Sequence, residues 1–247
     1  VVAGLKLWQV PTPDGKLTPD LIDTQAWGFG DVHRAQPGVV AVTQSTELGT
    51  LYTVAELAAV VERARRDGLR VLLDGARIMN AAAALDVPFR EFTTDLGIDA
   101  VSFGGTKNGA MGAEAVVTLT PELAEAVPYL RKTDMQLASK MRFISAQLVA
   151  LLTDDLWLRN ASHANAMARR LSDAVAAIDG VQVTRPAQAN AMFAIMPADI
   201  TARLMAEFHF YTWNQATGEV RWMCAWDTTE QDVDRFVAAI AAEFAAA

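Results

Sequence analysis

Three short polar segments of the sequence carry side chains that could do chemistry. They are Gln44–Gly49, Asp74–Arg77 and Gly104–Gly109, and each follows an apolar run that is typical of a buried strand. Open α/β sheets bind their ligands at the carboxyl ends of parallel strands. Asp74 and Lys107 lie one strand–helix unit apart, so a carboxylate and an amine could face the same crevice. The spacing therefore predicts one site built from distant parts of the chain.

A lysine and an aspartate in such a crevice suit the chemistry of pyridoxal phosphate (PLP). This cofactor needs a lysine amine to form a Schiff base and an acid that keeps its pyridine nitrogen protonated, so that the ring accepts electrons. Lys107 lies among small residues, which would let a cofactor approach the backbone. Taken singly, a loop lysine is usually a solvated charge, and an aspartate at a strand end is often a turn residue. The hypothesis rests on their combination.

The elements that must position these segments form an alternating pattern. Helices are predicted at Thr18-Pro19 and at a capping box, Thr53 with Glu56. Strands alternating with helices predict an α/β fold with a largely parallel sheet. The predicted strands are Leu5–Val10, Val39–Thr43, Leu69–Leu73, Asp99–Phe103 and Ala113–Leu119, and further helices are predicted at Arg77–Leu85 and around Phe89–Leu96.

The second half of the chain has a different pattern of apolar and polar residues. From Leu123 to about Ile178 the pattern is helical throughout, and shorter strands and helices follow. We predict that residues 1–125 are part of a large domain, that 126–160 form interdomain helices, and that 161–247 form a small C-terminal α/β domain. The elements predicted there are Val181–Thr184, Met192–Met196 and Val220–Ala225 as strands, and Ile200–Phe208 and Glu230–Phe244 as helices.

The composition argues against several classes of function. The net charge is −8 with no basic run, so no nucleic-acid or anionic-membrane partner is expected. The single cysteine, Cys224, excludes an internal disulfide, and three scattered histidines argue against a metal site. No apolar run approaches the ~20 residues that span a bilayer.

Three stretches resemble the threonine aldolase and β-eliminating lyase family of fold-type-I PLP-dependent enzymes. They are Thr43–Tyr52, Leu73–Arg77 and Ser102–Gly109, and the resemblance is closest to low-specificity threonine aldolases and phenylserine aldolases. It implies a PLP-dependent transferase-like (fold type I) large domain with a mostly parallel sheet and a small α/β C-terminal domain. The match extends into the long helices through Arg131-Lys132, Ser139–Phe143 and Trp157–Ala161.

The resemblance also assigns roles to individual residues. It implies that Lys107 forms the Schiff base with PLP and that Asp74 binds the pyridine nitrogen. Arg77 is implied to lie beside the cofactor and hold the substrate carboxylate. Arg221 is matched to a second carboxylate-binding arginine, with a solvated edge-strand charge as the alternative.

Two further residues and the overall activity stay open at this point. Gln44 and Thr46 either contact the cofactor ring or its phenolic oxygen, or cap the next helix. The resemblance implies a cytoplasmic homodimer or homotetramer that cleaves β-hydroxy-α-amino acids (threonine, allo-threonine or phenylserine) to glycine and an aldehyde by a retro-aldol reaction. The alternatives are a β-eliminating lyase or transaminase on the same scaffold, and a catalytically silent fragment that acts as an interaction module.

One feature of the family is not found in the sequence. Its members carry, upstream of these stretches, a glycine/threonine turn that binds the phosphate and an aromatic or histidine that stacks on the ring. The printed sequence starts in a strand-like stretch without Met. We therefore expect that an N-terminal segment is missing, and that the crevice beside Lys107 is open, with apolar surface exposed around it.

Overall fold

Two four-stranded sheets organise the chain in this computed structural model, which describes residues 3–246. The strands are β1 (Val39–Thr43), β2 (Arg70–Gly75), β3 (Ala100–Gly104), β4 (Glu114–Thr118), β5 (Gln182–Val183), β6 (Ala191–Ile195), β7 (Tyr211–Asn214) and β8 (Glu219–Met223). The helices are α1 (Pro19–Asp23), α2 (Val54–Arg66), α3 (Ile78–Leu85), α4 (Pro121–Thr133), α5 (Arg142–Leu152), α6 (Leu156–Ala176), α7 (Ala198–Glu207) and α8 (Glu230–Ala245). Short 3₁₀ turns lie at Phe89–Phe92, Thr106–Asn108 and Thr153–Asp155.

The first sheet has the strand order β1-β2-β3-β4. Strands β1, β2 and β3 are parallel, with Thr43 opposite Asp74 and Asp74 opposite Ser102, whereas β4 pairs antiparallel with β3. The prediction of a mostly parallel α/β sheet is therefore confirmed. This register brings the carboxyl ends of β1, β2 and β3 to one edge, where the three polar segments begin.

Local capping explains where the first two helices start. The Thr18 side chain accepts a hydrogen bond from the backbone N–H of Leu21, and Pro19 occupies the first turn of α1. At the start of α2, Thr53 accepts from the Glu56 backbone while the Glu56 carboxylate accepts from the Thr53 N–H, which is a complete capping box. Both helix starts were predicted and are confirmed.

The second sheet is antiparallel and has the order β5-β6-β8-β7. It has its own hydrophobic cluster, built on Met192, Trp222 and Ile240 among others, while a separate cluster packs around β1–β3. Helix α6 contributes to both, with Ala161 in the first cluster and Leu171 in the second. This agrees with a large and a small α/β part, and the division at residues 125 and 160 stays our proposal.

Two predicted elements are wrong. Leu5–Val10 is not a strand: it has no ladder partner among residues 3–246, and the Leu5 and Leu7 side chains are exposed. Alternation alone cannot make a strand, since its backbone groups need a paired neighbour. The helix around Phe89–Leu96 is only the 3₁₀ turn Phe89–Phe92, which follows Pro88. No helix within residues 3–246 is long and apolar enough to cross a membrane.

Candidate active site

Asp74 and Lys107 lie at the carboxyl ends of the neighbouring strands β2 and β3. Asp74 is the fifth residue of β2, and Lys107 lies three residues beyond Gly104, the last residue of β3. Both side chains are exposed. The Asp74 carboxylate accepts one hydrogen bond from the protein, from the Ala76 backbone N–H at 3.0 Å, among the described residues. An amine and a largely unpaired carboxylate thus lie at the same edge of the sheet.

The glycines before Lys107 are required for close packing of the backbone. A Cβ atom on Gly104 would lie 2.5 Å from the Ala76 carbonyl oxygen, and one on Gly105 would lie 2.6 Å from the Ala113 carbonyl oxygen. These are distances that real Cβ atoms do not adopt, so neither position tolerates a side chain. Glycine is therefore required at both positions by the neighbouring backbone, and the approach of a cofactor to this segment stays a prediction.

Asn108 anchors the turn that carries Lys107, a role that the sequence reasoning missed. Its buried side-chain amide donates to the Trp157 carbonyl oxygen at 3.0 Å, and its backbone carbonyl oxygen accepts from the Asn160 side-chain amide at 2.9 Å. Both partners belong to α6. In the sequence, only the position of Asn108 next to Lys107 could have suggested this role. The contacts with α6 are what show it.

Arg77 and Arg221 converge on one carboxylate of the protein itself. Arg221 Nη1 donates to Glu47 Oε2 at 2.9 Å, and Arg77 Nη1 lies 3.9 Å from Glu47 Oε1. Arg77 precedes α3 at the end of β2, whereas Arg221 lies in the middle of β8 in the second sheet. The Arg221 guanidinium also lies over the Trp213 ring, 4.4 Å from its centre. The structure therefore brings together two arginines that are 144 positions apart in the sequence.

Both arginines keep donor capacity that the described residues do not use. The Nε atoms of Arg77 and Arg221 are buried without a hydrogen-bond partner in residues 3–246. Burial lowers the pKa of the Arg77 guanidinium; the Glu47 carboxylate opposes this shift, and the charge on Arg221 adds to it. Arginine stays charged in proteins, so the pair forms an electropositive site with free donors. Such a site suits a carboxylate ligand.

Gln44 and Thr46 lie inside the loop after β1, and their polar atoms are used there. The Gln44 amide donates to the Tyr52 carbonyl oxygen at 2.8 Å and accepts from the Tyr52 N–H at 3.0 Å. The Thr46 hydroxyl lies 2.6 Å from the Thr50 hydroxyl. Both side chains are buried. These bonds hold the loop between β1 and α2. The alternative that they cap the next helix is wrong, because the N-cap of α2 is Thr53. Contact with a cofactor ring stays a prediction.

The remaining candidate groups lie outside this site. Burial raises the pKa of the Cys224 thiol to about 12, so the thiol stays protonated at neutral pH. The His163 ring bonds to the Thr228 carbonyl oxygen through Nε2. No group of three or more histidine, cysteine or carboxylate side chains that could hold a metal occurs within residues 3–246.

The side chains at the edge of the first sheet fit PLP and an amino-acid substrate. The exposed Lys107 amine can bind the aldehyde of PLP, and the open acceptor side of Asp74 can bind its pyridine nitrogen. The Nη1 atoms of Arg77 and Arg221, which both face the Glu47 carboxylate, mark a position that suits a substrate carboxylate. Val116 and Val117 on the edge strand β4 are exposed, and apolar surface around the crevice beside Lys107 stays a prediction.

Comparison with known proteins places this arrangement in a family. The family model described as beta-eliminating lyase matches residues 1–198. A low specificity L-threonine aldolase of a Pseudomonas species is 43% identical over 244 residues, which cover 98% of this chain and 70% of that protein. One from Pseudomonas aeruginosa is 42% identical over 233 residues, which cover 94% of this chain and 66% of that protein.

A solved structure gives the same answer for the fold. The threonine aldolase of Leishmania major superposes with a TM-score of 0.89 at 29% identity, and the match covers 97% of this chain and 70% of that one. The chain thus spans 66% to 70% of the length of these three proteins. The prediction of a fold-type-I PLP-dependent lyase is confirmed by these matches. The chain belongs to the beta-eliminating lyase family.

Proposed function

We propose that the protein cleaves β-hydroxy-α-amino acids, such as threonine, allo-threonine or phenylserine, to glycine and an aldehyde. The observation that carries the proposal is the convergence of Arg77 and Arg221 on one carboxylate position, at the sheet edge that holds Asp74 and Lys107. An amino-acid substrate needs such a carboxylate site beside the cofactor. The similarity to three threonine aldolases supports this choice among the reactions of the family.

Each residue has a separate task in the proposed reaction. Arg77 and Arg221 bind the substrate carboxylate and so orient the Cα–Cβ bond for cleavage. Lys107 holds the cofactor, and the Asp74 carboxylate keeps the proton on the pyridine nitrogen. When bound, PLP supplies an electron sink for the charge that develops at Cα. The turn held by Asn108 fixes where the Lys107 amine lies.

Product analysis tests the proposed reaction directly. PLP-loaded protein is incubated separately with threonine, with phenylserine and with β-chloroalanine, and the products are identified. We expect acetaldehyde and glycine from threonine, and benzaldehyde and glycine from phenylserine. Pyruvate and ammonia from β-chloroalanine with no cleavage of threonine would instead assign a β-eliminating lyase, and transfer of the amino group to a keto acid would assign a transaminase.

The role of Lys107 is tested by covalent mapping. Borohydride reduction of the PLP-loaded protein, followed by peptide mass analysis, should place the phosphopyridoxyl group on Lys107. An adduct on Lys132 or Lys140 would contradict the assignment. Protein without any visible PLP absorbance and without activity would favour the alternative of a silent interaction module.

We also propose that the working unit is a cytoplasmic homodimer or homotetramer, as the family resemblance implies. Helices α4 and α5 support this, because they expose apolar side chains that a second copy could cover, namely Tyr129, Leu130, Phe143 and Val149. Sedimentation of the active protein should give at least a dimer. Full activity in a strict monomer would contradict the proposal.

A further inference from the structure

Glu47 occupies the position between the two arginines that the proposed function gives to the substrate. Its two carboxylate oxygens face different arginines, Oε2 towards Arg221 and Oε1 towards Arg77. The side chain of Glu47 is 59% exposed, whereas those of Arg77 and Arg221 are 13% and 16% exposed. The carboxylate therefore lies on the open side of a guanidinium pair that is otherwise enclosed.

The backbone that carries Glu47 is held firmly on both sides. The Thr46 N–H donates to the Thr50 carbonyl oxygen at 3.0 Å, and the Gly49 N–H donates to the Thr46 carbonyl oxygen at 3.0 Å. The Leu51 N–H donates to Gln188 Oε1 at 2.7 Å, which ties the loop to the second part of the chain. A movement of the Glu47 carboxylate is therefore a rotation of its side chain and does not require the loop to open.

The charges explain why a carboxylate is held there in the free protein. Two guanidinium groups that share one carboxylate repel each other, and burial adds the loss of hydration. This is the environment that lowers the pKa of Arg77. One carboxylate between them relieves the repulsion, and the α-carboxylate of an amino acid offers the same two oxygens. Glu47 and the substrate are thus chemically equivalent ligands for the pair.

We propose that Glu47 is a resident counter-ion, which occupies the Arg77–Arg221 pair in the free protein and is displaced by the substrate carboxylate. The inference rests on the proposed function, since that function makes this pair the carboxylate site. The apparent dissociation constant of a carboxylate then equals its intrinsic value divided by the fraction of protein in which Glu47 has swung away. Glu47 thus lowers the affinity of the site for every carboxylate by the same factor.

The substitution Glu47→Gln tests this by removing the competing charge and keeping the shape. Exposed ion pairs are weak, so we expect a carboxylate to bind about two- to fivefold more tightly to this variant. Acetate is the probe, because it binds through its carboxylate alone and needs no cofactor. It is titrated at constant ionic strength while tryptophan fluorescence is followed, since the Trp213 ring lies under Arg221. The KM for threonine of the PLP-loaded protein is the second readout and should fall by the same factor.

Two further variants isolate the effect. Glu62→Gln makes the same change of charge on α2, where Glu62 pairs with Arg66 at the surface, and should leave acetate binding unchanged. In the double variant Glu47→Gln with Arg221→Gln the gain in acetate affinity should disappear. A gain that persists without Arg221 would show that acetate binds elsewhere and would overturn the proposal.

The outcomes separate the proposal from the function on which it rests. Acetate that binds equally or more weakly to Glu47→Gln, or a KM for threonine that rises, would mean that Glu47 remains in place and positions the arginines, which contradicts displacement. If threonine is not cleaved by either protein but acetate still binds more tightly to the variant, the counter-ion role stands and the proposed reaction fails. If threonine is cleaved and neither acetate affinity nor KM changes, only the counter-ion role fails.

Discussion

Two aspartates lie at opposite ends of the parallel strands of the first sheet. Asp74 lies near the carboxyl end of β2, and Asp99 lies just before the amino end of β3. The surroundings of the two carboxylates differ. At the carboxyl end Asp74 is exposed and accepts one hydrogen bond, from Ala76. At the other end Asp99 is buried and accepts from Arg65 at 2.8 Å, Arg70 at 3.2 Å and the Val71 backbone N–H at 2.6 Å. The protein thus fills the hydrogen-bond acceptors of the aspartate at one end and leaves acceptors free on the aspartate at the other end.

We propose that this difference separates charges that stabilise the fold from charges that bind ligands. Oδ2 of Asp99 accepts from Arg65 and from the Val71 backbone, and Oδ1 accepts from Arg70, so the carboxylate has little acceptor capacity left for a ligand. Asp74 contributes little to the fold through its side chain and can bind a ligand instead. Arg65 and Arg70 donate to Asp99, whereas Arg77 and Arg221 each keep a buried Nε donor without a partner in the described chain.

The largest expected effect is on the rate of cleavage, when Asp74 at the carboxyl end of the sheet is changed. Asp74→Asn should lower the rate of threonine cleavage at least about 10³-fold, ~4 kcal/mol in barrier, because an amide cannot hold the proton on the pyridine nitrogen through its charge. The melting temperature should barely change, since the side chain is exposed. Both are measured beside Asp95→Asn, a surface variant paired with Arg90. Near-normal turnover in Asp74→Asn would show that Asp74 is not the partner of the pyridine nitrogen.

A change of Asp99, at the opposite end of the sheet, should lower the stability of the fold instead of the activity. Asp99→Ala should lower the free energy of unfolding by about 2–4 kcal/mol, because Val71 loses a buried acceptor and two arginines lose their counter-charge. Urea denaturation measures the loss. Asp99→Asn keeps an acceptor for Val71 and should lose less. Activity per folded molecule should be retained, so a fall in activity without a fall in stability would contradict the comparison.

A third test concerns the arginine that comes from the second sheet. Arg221→Gln should lower kcat/KM for threonine about 10- to 100-fold, ~1.4–2.8 kcal/mol, the range typical of a charge-assisted hydrogen bond. Arg203→Gln removes an arginine with surface partners on α7 and α8 and serves as the control. Equal values of kcat/KM in the two variants would show that Arg221 does not bind the substrate carboxylate.

The smallest expected effect concerns Cys224, whose buried thiol contrasts with the exposed groups of the candidate site. Burial raises the pKa of the Cys224 thiol to about 12, so at pH 8 the folded protein should hold almost no thiolate. Ellman's reagent should therefore leave Cys224 unmodified in native buffer and react once urea unfolds the chain. Rapid reaction in native buffer would show that Cys224, next to the end of β8, is open to solvent.

Much of the fold was predictable because its signals are local. The bounds of β1 match the prediction, and the capping box at Thr53 starts α2 where it was expected. The strand β7 was missed, since Tyr211–Asn214 is only four residues long and its pairing with β8 is irregular near Thr212. Leu5–Val10 shows the opposite error, because its alternation is real but no neighbouring strand pairs with it in the described chain.

The sequence by itself determined which chemistry the chain can carry. The types and spacing of Asp74, Arg77 and Lys107 after buried strands predicted one site, and strand alternation placed them at one sheet edge. Only the tertiary structure decided how charge is distributed there. Arg221 and Arg77 meet at Glu47 because the loop after β1 packs against the second part of the chain. Contacts between residues that are more than a hundred positions apart depend on packing, and no local pattern encodes them.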